Sequence, residues 1–153
     1  MLREQLAFNS IERTDMEKTK VLIVDDEHAI RRFLRTSLSA HGYEVYEAAN
    51  GEDAILKSIN VRPDLIILEF TRSSDSWAGE TTLDSQIVLK ILRRLPGVES
   101  VPIIGLAPAD EPKVRQRALE SGAAACLSRP LDHQRLLSAV RIALEDLTTG
   151  SEN

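Results

Sequence analysis

The sequence predicts an α/β domain built on a doubly wound, five-stranded parallel sheet. Three observations predict it. Short, β-branched apolar runs alternate strictly with longer stretches whose apolar residues recur at helical spacing. The 153 residues hold five such pairs, which is one domain's worth of chain. Hydrophobic residues make up 42% and aromatics only 4%, so the core must be aliphatic.

The elements follow in order. Val21 to Asp25 (VLIVD) is a continuous β-branched run, the pattern of a strand covered on both faces. In the next stretch Ile30, Phe33, Leu34 and Leu38 recur at helical spacing, and Gly42 stands where a helix ends. Tyr43 to Ala48 alternates like a strand. Asn50-Gly51 marks a turn, and residues 51–60 form a short helix. Asp64 to Phe70 is the most apolar strand, entered through Pro63. Residues 71–84 are polar, aperiodic and broken by Gly79, and read as a loop.

Gln86 to Leu95 is the next helix, with Val88, Leu89 and Leu92 inward and Pro96-Gly97 as its stop. Val101 to Ala107 is the fourth strand and Glu111 to Ser121 the fourth helix, ended by Gly122. Ala124 to Ser128 is the fifth strand. Asp132 to Leu147 is the last helix, with Leu136, Leu137, Val140 and Leu144 on one face.

Parallel neighbours need crossovers, and crossovers are right-handed, so the helices cover both faces. Five such units fit the flavodoxin-like strand order 2-1-3-4-5, which places its site at the carboxyl ends of the strands. The expected division is an N-terminal extension (1–18), the domain (19–147) and a short tail (148–153).

That topology gathers Asp25 and Asp26 from the first strand, Glu69 from the third, Ala107 from the fourth and Arg129 from beyond the fifth. Three carboxylates in one crevice repel one another unless a cation sits among them. Arg129 supplies one positive charge. The plain alternative for Asp25-Asp26 is capping of the following helix.

These residues carry a family resemblance. Val21-Leu22-Ile23-Val24-Asp25-Asp26-Glu27, Pro63-Asp64-Leu65-Ile66-Ile67-Leu68, Gly122-Ala123 and Arg129-Pro130 resemble the receiver domain of two-component response regulators. The segment Ala29 to Arg35 further resembles receivers of winged-helix transcription regulators. The resemblance covers residues 20 to 147. It implies paired acids that hold Mg²⁺ and an Asp that takes phosphoryl from a histidine kinase. It also implies a Ser or Thr and a Lys on the phosphoryl oxygens, and an aromatic on strand five as the switch.

The acids carry over onto Asp25 and Asp26. The acceptor position holds Glu69, whose extra methylene projects the carboxylate roughly 1.5 Å further. In-line transfer to it is therefore disfavoured, because a misplacement of about 1 Å can cost a hundredfold in rate. Ala107 replaces the hydroxyl residue. Arg129 replaces the lysine, and its planar fork is expected to engage Glu69. Cys126 stands at the aromatic position and reads as plain packing.

An insertion of about eight residues follows Glu69, judged from where the next helix aligns. It carries Trp77, the single tryptophan, as either a partner anchor or a lid, and Asp75 as an alternative phosphoryl acceptor. In the transcription-factor branch, acids before the strand-five aromatic help form a dimer face from the fourth helix, fifth strand and fifth helix. Those positions hold Ala124 and Ala125 here, while Arg141 matches a basic position.

The expected function is a degenerate receiver that signals by binding, with weak Mg²⁺ affinity and a histidine kinase or other signalling protein as partner. The alternative is a working phospho-receiver, the N-terminal part of a transcriptional regulator. A metal-assisted enzyme of the same fold is a third class, and the sequence offers it no nucleophile or cofactor loop. The net charge of −5 argues against a DNA-neutralising surface. A single cysteine excludes a disulfide framework. No apolar run reaches membrane-spanning length, and the N-terminus lacks a secretory pattern, so a cytoplasmic location is expected. His28, His41 and His133 fall on different elements, and without i, i+4 spacing they read as surface or capping residues rather than metal ligands, while Arg31-Arg32-Arg35 and Arg93-Arg94 read as solvated helix faces.

Overall fold

The structure, a computed structural model, describes residues 17–70 and 83–152, with side chains through Asp146. The described elements are β1 (Lys20–Val24), α1 (His28–Ser39), β2 (Glu44–Ala48), α2 (Gly51–Val61) and β3 (Leu65–Glu69). They continue with α3 (Ser85–Leu92), β4 (Ile103–Ala107), α4 (Pro112–Glu120), β5 (Ala125–Ser128) and α5 (His133–Glu152). All strand pairs are parallel and the order is β2-β1-β3-β4-β5, as the alternation predicts.

Why the strands read as continuous apolar runs is visible in the packing. Leu22, Val24, Ile66 and Leu68 face a cluster completed by Ala54 of α2, Leu89 and Leu92 of α3 and Ala118 of α4. Val21, Ile23, Leu65 and Ile67 face the other cluster, completed by Leu34 and Leu38 of α1 and Leu136 and Val140 of α5. Successive side chains point to opposite faces, so a strand covered twice must be apolar at every position. Burying each of the Val, Leu and Ile side chains among these stabilises the domain by about 1.5–3 kcal/mol.

Local signals set the ends. Asn50 is the N-cap of α2 rather than a bare turn, its side-chain oxygen accepting from the Asp53 amide at 2.9 Å. Asp84 caps α3 in the same way through Ile87, also at 2.9 Å. Gly42 (φ +88°) follows the end of α1, where the Tyr43 amide reaches back to the Leu38 carbonyl at 3.2 Å.

Three boundaries differ from expectation by more than one residue. α3 stops at Leu92, before Leu95, because the amides of Arg94 and Leu95 bond three residues back and tighten into successive turns. The Arg93 guanidinium pins these turns, donating to the carbonyls of Val101 (2.6 Å) and Gly122 (3.1 Å). Burial lowers its pKa, so Arg93 is a structural clamp and not a solvated face. β4 begins at Ile103, since Pro102 has no amide to donate. α5 runs to Glu152, past Leu147, and no proline interrupts it. Of the polar insertion, residues 71–82 lie outside the described residues, and so do the readings made for Trp77 and Asp75. Among the described residues no helix is long and apolar enough to cross a membrane.

Candidate functional site

β1, β3 and β4 end side by side, with Val24 beside Leu68 and Glu69 beside Leu106 in register. The residues at these ends therefore share one crevice. Asp25 is fully buried and Glu69 nearly so, while Asp26 is exposed. Carboxylate oxygens of Asp25, Asp26 and Glu69 all lie within 4.8 Å of one another. Asp25 also accepts from the Glu27 amide at 2.8 Å, which gives partial support to the capping alternative. Glu27 itself, however, is the N-cap of α1 and makes no side-chain cap bond.

Burial pushes the Asp25 carboxyl above its ordinary range. The Glu27 amide, a hydrogen bond with Glu69 and the charge of Arg129 oppose that push without cancelling it. Two buried carboxyl groups this close are mutually unfavourable as anions, so the pair is suited to a nearby cation.

Arg129 supplies the counter-charge from the β5–α5 connection. One guanidinium nitrogen, Nη1, donates to Glu27 at 2.8 Å, and the other, Nη2, lies 3.5 Å from both Asp25 and Glu69. The expected contact with Glu69 is present, but as a single 3.5 Å bond from a guanidinium shared with Asp25 and Glu27 rather than as a fork. Glu69 sits deep at the end of β3, and the more exposed Glu27 takes the shortest bond. Desolvation works to lower the Arg129 pKa, but the bond to Glu27 and the charges of Asp25, Glu27 and Glu69 outweigh it and raise it. Glu27 is a member of this site that sequence reasoning passed over. Its place next to Asp25-Asp26 was the available signal.

Arg31 is a second correction. It donates to the Asp25 carbonyl at 2.7 Å and pairs with Glu47 of β2 at 3.1 Å. Arg35 joins the same Glu47 at 2.6 Å. Arg31, expected on a solvated face, therefore braces the loop that carries the acids, while Arg35, half exposed, supports it only through the shared Glu47. His41 and His133, from different elements as expected, meet with ring centroids 5.3 Å apart.

The far side of the crevice is apolar. Ala107 is buried at the end of β4 and offers no hydroxyl. Cys126 is buried on β5, and burial pushes its thiol pKa up, so it is an unreactive packing residue. Phe70 is fully buried one residue past Glu69. A Cβ placed on Gly105 would lie 3.2 Å from Ala118, 3.3 Å from the Phe70 ring and 3.5 Å from the Cys126 sulfur. Glycine at 105 and cysteine at 126 thus leave room for the Phe70 ring. At the start of α3, Ser85 donates to the Glu69 carbonyl at 2.5 Å and fastens the end of the insertion to β3.

A family model described as the response regulator receiver domain matches residues 21–141. This chain belongs to the response-regulator receiver family. It is 37% identical over 126 residues to the KDP operon transcriptional regulatory protein KdpE of Escherichia coli K12, covering 82% of this chain and 51% of that protein. It is 33% identical over 138 residues to the probable transcriptional regulator ycf27 of Porphyridium aerugineum, covering 90% of this chain and 53% of the relative. The chain thus spans about half the length of these curated relatives.

The structure of the chemotaxis response regulator CheY4 of Vibrio cholerae matches with a TM-score of 0.70 and 28% identity, over 83% of this chain and 99% of that one. NtrX of Brucella abortus shares the fold with a TM-score of 0.77 at 23% identity, over 87% of this chain and 29% of that one.

Receiver domains are signalling modules that interact with histidine kinases and bind Mg²⁺ at an acidic pocket. The donor set here fits that ion. Asp25, Asp26 and Glu69 are hard oxygen ligands within reach of one another, which is the chemistry Mg²⁺ selects. Arg129 Nη2 lies against two of the three, so the ion and the guanidinium compete for the same charge.

Proposed function

We propose that this receiver signals by binding to a protein partner, in a conformation held by Arg129, with little or no conventional aspartyl phosphorylation. The observation that carries this reading is the engagement of Arg129 by three carboxylates at once, those of Glu27, Asp25 and Glu69. In a receiver the cation at this position answers a phosphoryl group. Here its donors face acidic side chains that are always present. Glu69 carries at most one negative charge where a phosphoryl carries nearly two, and the buried Ala107 has no donor to pull β4 toward either. Mg²⁺ binding is weak on this reading, because the competing charge is covalently attached.

The partner is a histidine kinase or another signalling protein in the cytoplasm. The face formed by α4, β5 and α5 is offered to it or to a second copy of the chain. A groove of about 650 Å³ runs there, lined by Arg115, Arg135, Asp132 and Asp146 among others. Leu119 and Ile142 are exposed on the helices that flank it, and Arg141 is exposed on α5. Mixed charge on one face suits pairing about a two-fold axis. Twice-as-long relatives named as transcriptional regulators support a place at the head of a longer regulator.

A second reading, a working phospho-receiver, is favoured by one observation. The three carboxylates keep a metal-competent arrangement within 4.8 Å. Incubation with a small phosphodonor and Mg²⁺, followed by intact-mass measurement, separates the two. The first reading predicts no phosphoryl adduct. A stable adduct that disappears in Glu69→Gln establishes the second.

A further inference from the structure

The contact between His41 and His133 has an arrangement that neither helix packing nor the carboxylate pocket requires. Both rings are anchored on one residue. His41 Nδ1 lies 3.0 Å from the Ser37 carbonyl oxygen, and His133 Nδ1 lies 3.0 Å from the Ser37 hydroxyl. A carbonyl oxygen only accepts, so His41 Nδ1 carries the proton and Nε2 presents a free lone pair. The hydroxyl of Ser37 can accept in the same way and hold His133 in the same tautomer. Imidazoles that bind metals are fixed in this manner, donating one ring N–H to a backbone or polar oxygen while the other nitrogen ligates.

The ring spacing leaves room for a shared ion. A metal–nitrogen distance of about 2.0–2.1 Å, plus about 1.1 Å from nitrogen to ring centre, puts two imidazoles on one tetrahedral ion about 5.2 Å apart. The centroids of His41 and His133 are 5.3 Å apart, with the rings tilted by 57°. Ser37 is only 5% exposed and is a fixed anchor, while both histidines keep exposed surface and leave room for water at the remaining positions. His41 also follows the carboxyl end of α1, where backbone carbonyls favour a cation.

We propose that His41 and His133 form a binding site for a divalent transition-metal ion of the Zn²⁺ class, anchored by Ser37 and joining the end of α1 to the start of α5. The site is distinct in chemistry from the carboxylate pocket. Neutral imidazole suits Zn²⁺ and its neighbours in the series, whereas carboxylates suit Mg²⁺.

The test is calorimetric titration of the metal-free chain with Zn²⁺ in excess Mg²⁺. The expected result is one Zn²⁺ site that Mg²⁺ does not displace. It weakens by at least about tenfold in His41→Gln and in His133→Gln and is unchanged in His28→Gln. Circular dichroism establishes that each variant is folded. Should a variant unfold, nitrogen-15 spectra of the wild-type histidines decide, with Zn²⁺ moving the Nε2 signals of His41 and His133 and leaving those of His28. Absence of Zn²⁺ binding, retention of binding in both variants, displacement by Mg²⁺ or unmoved Nε2 signals would overturn the proposal.

Discussion

The two ends of the crevice differ in how far they follow the receiver pattern. At the β1 end, Asp25 and Asp26 stand where the family holds its cation, braced by Arg31 and by the Glu27 amide. At the β3–β5 end, the positions that the receiver resemblance assigns to acceptor, hydroxyl, cation and aromatic hold Glu69, Ala107, Arg129 and Cys126, and the Phe70 ring lies close against Gly105. Holding a cation depends on one short loop. Responding to a phosphoryl group depends on three strand ends acting together. On the proposed reading, the difference teaches that the acids of one loop can be kept while the positions on the other strand ends change.

The largest expected effect lies in the rebuilt half. Phe70→Ala should cost about 3–5 kcal/mol of stability by urea unfolding, since the ring is fully buried and nothing else fills its place. Adding Cys126→Phe to that variant should recover part of the loss. No recovery would mean that Phe70 does not occupy the space an aromatic on β5 would use.

Arg129→Met comes next, at about 1–3 kcal/mol. It strands buried Asp25 and Glu69 without a counter-charge, and solvent at the guanidinium keeps the loss below that of a fully buried pair. Arg31→Ala should cost about 1–2 kcal/mol through its lost bonds to Glu47 and the Asp25 carbonyl, and equilibrium unfolding would show it. A loss near zero would return Arg31 to an ordinary surface role.

The smallest effect is in the pH profile. The Asp25 carboxyl titrates above its ordinary value of 3.8 in the folded chain. Between 3.8 and the raised native value the folded state binds more protons than the unfolded state, so the Asp25 contribution falls as pH rises through that window. Above the window it stays unfavourable. Asp25→Asn should therefore gain stability relative to wild type as pH climbs through the window, then level off. Urea midpoints at a series of pH values would check the sign.

Much of this was legible in the sequence. Val21-Leu22-Ile23-Val24 and Leu65 to Leu68 announce doubly covered strands through their composition, and strand order follows from the alternation. Asp25, Asp26, Glu69, Ala107 and Arg129 were placed together because topology alone brings strand ends into one crevice. What was not legible depends on distances between side chains remote in sequence. Arg129 chooses Glu27 across 102 residues, and His133 reaches Ser37 across 96. Spacing rules within one helix see neither. Phe70 read as one more apolar strand residue, and only the structure shows its ring filling the space beside Gly105 in the cluster that also holds Cys126.

The central claim is that Arg129 occupies the place of a cation. Calorimetric titration of Mg²⁺ into wild type and Arg129→Met at the same pH tests it most directly. The account predicts weak binding to wild type and binding at least about tenfold tighter to the variant, as the competing charge is removed. Equal affinities in the two proteins, or weaker binding in the variant, would contradict it.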